Sequence, residues 1–158
     1  MSEGIGARVL RKEDKRFITG KGRYTDDIVE PNQAYAAFVR SPHAHARIVS
    51  IDTSAAMAMA GVETVLMGAE LVSDGIGNII CGWGVTSKDG SPMNMGAWSA
   101  LATEKVRYVG DAVAIVVADT KSLATLAAEA VVVTYEELPV VVGSLQALAG
   151  GAPQLHEN

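Results

Sequence analysis

The residues in this sequence best suited to chemistry lie in the stretch RSPHAHARI, residues 40–48. His43 and His45 sit two positions apart, between Pro42 and Arg47. If residues 43–45 are extended, both rings point to one side, an arrangement open to a metal ion or to a base with an orienting partner. A zinc site needs at least one further ligand. The third histidine, His156, lies near the end of the chain with no sign of a docked element around it, and Cys81 lies in a glycine-rich segment. A nucleophile–base pair would need Ser41 in a recognisable nucleophile setting, which its neighbours do not supply. The expected role of both rings is therefore hydrogen bonding to backbone or to a neighbouring surface at a turn.

Other candidates fail on spacing. TGKGRY (19–24) lacks the phosphate-loop pattern, and GIG at 4–6 and 75–77 neither follows a strand nor opens a helix. The adjacent pairs Asp26-Asp27 and Glu136-Glu137 point to opposite faces if extended. That suits solvation or pairing with the basic N-terminal arm better than a catalytic dyad. The single cysteine makes neither an internal disulfide nor a four-thiolate metal or cluster site. No residue is assigned a catalytic, cofactor-binding or metal-binding role.

Five apolar strands and two helices must make up the body around these residues. Residues 1–30 read as an extended arm carrying Arg8, Arg11, Lys12, Lys15, Arg16, Lys21 and Arg23, with turns at its glycines. The domain proper is expected over 31–148. Strands are predicted at 34–40, 46–52 and 62–67, and a short helix at 53–60 between the last two. Asp52 or Thr53 would cap that helix and Gly61 would end it. A second unit repeats this order. DAVAIVVA (111–118) is a strand apolar enough to be covered on both faces. Asp119 would cap the next helix, whose stripe is Leu123, Leu126, Ala127, Ala130 and Val131, and 131–137 returns as a strand. Asp52-Thr53 and Asp119-Thr120 open the helices, and Glu70-Leu71 and Glu137-Leu138 close the units at equal spacing. Each unit is expected to cross over with the right hand on one sheet.

Between the units, residues 72–103 hold six glycines and both tryptophans. A connection this long inside a compact domain reads as a contact loop, with Trp83 and Trp98 buried by this domain or by a partner. Residues 149–158 read as a tail.

The composition excludes several classes. With 49% hydrophobic residues among 158 and few aromatics, the chain can bury a core built from Val, Ala, Leu, Ile and Met. A net charge of −5 argues against nucleic acid. The N-terminus lacks a signal-peptide apolar run, and Pro139, Gly143, Gly150, Gly151 and Pro153 interrupt the uncharged stretch 138–155, so no membrane span is expected. A cytoplasmic location is expected.

Four stretches carry a family resemblance: GARVLRKEDKRFITGKGRYTDDI (6–28), AFVRSPHAHARIVSID (37–52), EKVRYVGDAVAIVVADT (104–120) and AAEAVVVTYEELPVVV (127–142). Together they resemble the N-terminal domain of the molybdenum hydroxylase large subunit, the xanthine oxidase and aerobic carbon monoxide dehydrogenase family. CGWGVTSKDGSPM (81–93) resembles the carbon monoxide dehydrogenase-like branch in particular. The resemblance implies an α/β hammerhead domain, a mixed sheet with two strand–helix–strand units. It implies a parent enzyme with molybdopterin cytosine dinucleotide, an iron–sulfur subunit with two [2Fe–2S] clusters and an FAD subunit, catalysing oxidative hydroxylation or CO oxidation. The catalytic glutamate and the cofactor loops of the family lie beyond the matched region, so no position here inherits a catalytic, cofactor or metal role. Ala112 stands where the family often has Pro, and Gly143 where it often has Asp.

The reading that follows is a structural and assembly domain, catalytically silent alone and free of cofactor. Its partners would be the remaining large-subunit domains, the iron–sulfur subunit and the FAD subunit, with self-association when isolated. The start matches the family's start and the end falls where the family continues, as in an excised domain, a proteolytic product or a truncated gene. The alternatives are a stand-alone protein-binding module, one part of a split-subunit enzyme, and a small metalloenzyme using His43 and His45.

Overall fold

The computed structural model describes residues 4–6 and 9–156 and divides the chain into two units, Met1–Gln33 and Ala34–Asn158. Arg8 lies outside the described residues.

The first unit is less extended than its composition predicts. A helical turn, α1 (Asp14–Ile18), forms, with the Arg11 guanidinium 3.0 Å from Asp14. A 3-10 turn follows at Thr25–Asp27, where the Asp27 carboxylate accepts the Tyr24 N–H at 2.9 Å. The rings of Phe17 and Tyr24 stack at 5.4 Å. Charge at a helix start and an aromatic pair give local order without a long apolar period.

The second unit contains β1 (Tyr35–Arg40), β2 (Ala46–Asp52), α2 (Ser54–Met57), β3 (Val62–Met67), α3 (Gly68–Ser73), β4 (Lys105–Val106), β5 (Ala112–Ala118), α4 (Lys121–Ala130), β6 (Val132–Glu137) and α5 (Ser144–Ala147). The five predicted strands form within a residue of their expected bounds. Their arrangement differs. There are two three-stranded sheets, β1-β5-β3 and β4-β2-β6, and every pairing is antiparallel. β2 and β3 flank α2 yet lie in different sheets, as do β5 and β6 around α4. The expected right-handed crossover therefore does not occur, because that rule needs both strands in one sheet. Each unit instead lends one strand to each sheet: β3 pairs with β5, and β2 with β6. Exchanging the two strand–helix–strand units maps one pairing onto the other, which accounts for their shared signature.

Two cores result. One gathers Ala56, Val65, Ala114, Val116, Ala127 and Val131, where α2 and α4 meet the β1-β5-β3 sheet. The other gathers Ala46, Ala102, Val106 and Val113. Ala114 and Val116 belong to the first and Val113 to the second, so β5 buries both its faces by its period of two. That explains its unbroken apolar run. Ile51 and Val133 pack against both cores and join them.

Two local expectations shift. Thr120, rather than Asp119, caps α4 by accepting the Leu123 N–H at 3.1 Å. The buried face of α4 is Ala124 and Ala127, leading to Val131, while Leu126 faces outward. Small residues there let the helix approach the sheet closely. At α2, the Asp52 carboxylate accepts the Ser54 N–H at 2.9 Å, and Gly61 at φ +90° ends the turn. A side chain at Gly61 would also meet Asp119 and Leu123 at 2.9 Å.

Candidate functional site

The β1–β2 turn carries both histidines, and its geometry is built around Ser41. The Ser41 N–H donates to the Asp111 carbonyl, and the Ser41 carbonyl accepts from Gly110 N–H, each at 2.8 Å. Its hydroxyl accepts from the His43 N–H at 3.0 Å and donates to the His43 carbonyl at 3.1 Å. Ser41 is thus spent on shaping the turn and is 2% exposed. A hydroxyl held by the backbone of His43 is not poised against an imidazole base.

The rings reach β6 and the residues after it. His45 is buried, with Nδ1 2.8 Å from the Pro139 carbonyl. A carbonyl only accepts, so this nitrogen carries the proton. The chain locks the same place from the other side, as Leu138 N–H donates to the His45 carbonyl at 3.0 Å. The His43 Nδ1 lies 3.6 Å from the Glu137 carboxylate, and its ring packs on Tyr135 at 4.9 Å. Arg47 pairs with Glu136 at 3.2 Å. The two adjacent glutamates therefore go to different partners and form no dyad. Burial pushes the Tyr135 phenol above its ordinary value, Asp111 pushes the same way, and a hydrogen bond with Ser41 partly opposes both.

Cys81 and His156 are elsewhere. The Cys81 thiol is exposed and lies 3.6 Å from the Trp83 carbonyl. Among the described residues, no three His, Cys, Asp or Glu side chains converge as a metal donor set. No buried side-chain nitrogen or oxygen among them waits for a partner. His43, His45, Cys81 and His156 thus do not combine into a protein-ligated metal or iron–sulfur site.

The long loop supplies the other candidate surface. Its two legs are tied by Ile79 N–H to the Trp98 carbonyl at 2.7 Å, and 85–93 folds back through Met93 N–H to Val85 and Ser87 N–H to Ser91. A groove of about 490 Å³ opens along it, lined by Ile79, Ile80, Met93, Met95 and Trp98 among others. Trp83 is 82% exposed, so this domain does not bury it. Trp98 leans on Tyr108 at 5.7 Å. Burial pushes the Tyr108 phenol above its ordinary value, Asp111 adds to the shift, and Arg40 opposes it. The Arg40 guanidinium also donates to the Gly110 carbonyl at 2.9 Å, and Asp111 accepts the Arg107 N–H at 2.9 Å. VRYVGD (106–111) thus organises the turn before β5. In the sequence it stands inside the family-marker stretch 104–120, with no pattern of its own that points to this task.

Comparison with known proteins decides the family. Residues 19–139 match the family described as aldehyde oxidase and xanthine dehydrogenase, a/b hammerhead domain. The chain belongs to this family. Over nearly all of its length it is 40% identical to the carbon monoxide dehydrogenase large chain of Afipia carboxidovorans and 42% identical to that of Hydrogenophaga pseudoflava. It is also 42% identical, over 93% of its length, to the nicotine 6-hydroxylase large subunit of Paenarthrobacter nicotinovorans. Among solved structures it superposes on quinoline 2-oxidoreductase from Pseudomonas putida 86 with a TM-score of 0.79, 42% identity and 94% of the chain covered. A Cu,Mo-CO dehydrogenase matches with a TM-score of 0.73, 41% identity and 95% coverage. The α/β hammerhead fold is thereby established. This hammerhead domain spans 18% of the two carbon monoxide dehydrogenase large chains, less than a fifth of their length.

Proposed function

We propose that this hammerhead domain is the structural and assembly domain of the large subunit of a molybdenum hydroxylase, catalytically silent by itself. The carrying observation is where its large apolar side chains lie. Trp83, Val142, Leu145 and Leu148 are each more than four-fifths exposed, and Ile80 is 89% exposed, while the buried residues are mostly Ala and Val. Surface of this kind implies a covering partner. We take that partner to be the rest of the large subunit, with the iron–sulfur and FAD subunits beyond it. The parent enzyme would carry molybdopterin cytosine dinucleotide and catalyse oxidative hydroxylation or CO oxidation. Relatives named for carbon monoxide, nicotine and quinoline match at similar identity, which supports the class of reaction and not one substrate. The single free cysteine and acidic surface suit the cytoplasm.

In this role the histidines are positioning residues. His45 fastens the β1–β2 turn to Pro139, and so sets the direction in which the apolar segment 140–148 leaves β6. Elemental and pterin analysis of the purified 158-residue chain tests the proposal. Neither molybdenum nor pterin is expected, and a stoichiometric amount of either would overturn it.

A further inference from the structure

Leu155 and His156 do not trail away from the domain. The Leu155 carbonyl accepts from the Arg107 guanidinium at 2.8 Å. One residue on, the His156 ring stacks on Trp98 with centroids 6.5 Å apart and planes 29° apart. Trp98 in turn rests on Tyr108. Tail, loop and the turn before β5 thus meet around one cavity of about 190 Å³, whose lining includes Trp98, Arg107, Tyr108, Leu155 and His156. Gly96 completes the fit, because a Cβ there would lie 3.1 Å from His156 Nδ1.

We propose that Leu155 and His156 form an intramolecular clasp that holds the 72–103 loop against the turn before β5. Ile79 N–H bonds to Trp98, so the second leg positions the first, and the second leg rests on Tyr108 and the tail. His156 also lines the groove with Ile79, Met93 and Met95, so whatever displaces the tail removes one wall of it and frees the leg that carries Ile79. The tail would control whether that apolar surface is presented in a fixed shape. This goes beyond the proposed assembly role and does not depend on which partner covers the groove.

Hydrogen exchange on the full 158-residue chain tests the clasp. Arg107→Ala and His156→Ala should each speed exchange at the Ile79 amide roughly tenfold. Exchange in β5 and at Met93, whose bond is internal to the loop, should stay unchanged. Gly96→Ala, which disturbs only the tail's approach to the loop, should give a smaller acceleration at the same amide. Unchanged exchange at Ile79 in Arg107→Ala and His156→Ala would overturn the proposal. Equal acceleration across β5 would also overturn it, because the tail would then be acting on the whole domain.

Discussion

Gly68→Ala probes the seam between the two cores. Gly68 is buried at the start of α3, where β3 ends. A Cβ on it would lie 2.7 Å from the Ala102 carbonyl oxygen, 2.9 Å from that of Leu101 and 3.0 Å from the Ala102 carbonyl carbon. All three are backbone atoms, and Leu101 and Ala102 are themselves buried, so no flexible side chain can yield. Overpacking of this kind costs about 1–3 kcal/mol. Alanine recovers about 0.5–1 kcal/mol through its better helix propensity. With three backbone atoms in contact at once the cost falls in the upper half of that range, so the net loss should be about 1–2.5 kcal/mol, or a Tm lower by about 2–10 °C for a domain of this size. Gly77→Ala is the matched control, since nothing lies within 4 Å of its Cβ position and its φ is ordinary. It should stay within about 0.5 kcal/mol of the parent. Thermal unfolding followed by far-UV circular dichroism reads both. An unchanged Tm for Gly68→Ala, or an equal fall for Gly77→Ala, would refute the packing argument.

Other outcomes follow from the same geometry. His45→Ala empties a buried ring site and removes the donor to the carbonyl of Pro139, itself an exposed residue, and should cost about 1–3 kcal/mol in urea unfolding, whereas His43→Ala loses a part-exposed pair and should cost less than about 1 kcal/mol. The Ser54 hydroxyl, and then its backbone N–H, hold the Asp52 carboxyl below its ordinary value of 3.8, with burial slightly opposing. A lowered folded pKa favours the folded state above the unfolded value, and that contribution disappears as pH falls through the folded value. Asp52→Asn should therefore flatten part of the loss of Tm below about pH 4. The isolated chain should self-associate with rising concentration, and Leu145→Asp with Leu148→Asp should return it to monomer in size-exclusion chromatography with light scattering.

Much of the fold was legible because its signals are local. Strands β1, β2, β3, β5 and β6 announce themselves by apolar runs, with Pro42, Gly61 and Asp119 among the residues that bound them. Their distribution over two sheets is not a local property. A strand covered on both faces reads the same whether its neighbours run parallel or antiparallel, so β5 invited the wrong crossover. β4 is two residues long, too short for any period, and exists because Ala46 and Arg47 offer it a pairing edge. On α4 the expected stripe of Leu123, Leu126, Ala127, Ala130 and Val131 holds at Ala127 and Val131, which are buried, and fails at Leu126, which is exposed; the close approach to the sheet buries Ala124 in its place. The His45 ring forms the expected hydrogen bond at the turn, while the His43 ring makes a 3.6 Å ion-pair contact and a ring contact instead. Their partners, Pro139 and Glu137, lie some ninety residues away and could not be named from spacing. The docked tail was missed for the same reason: one carbonyl and one ring, with no periodic signal around them, decide it.

Under the proposed function, the exposed apolar surface of this hammerhead domain is covered by the rest of a large subunit. Amide hydrogen exchange of the free chain, compared with the same residues in a full-length large subunit, tests it most directly. Strong added protection is predicted over 79–98 and 140–148, with β5 and α4 unchanged. Equal exchange in those two segments in both states would contradict it.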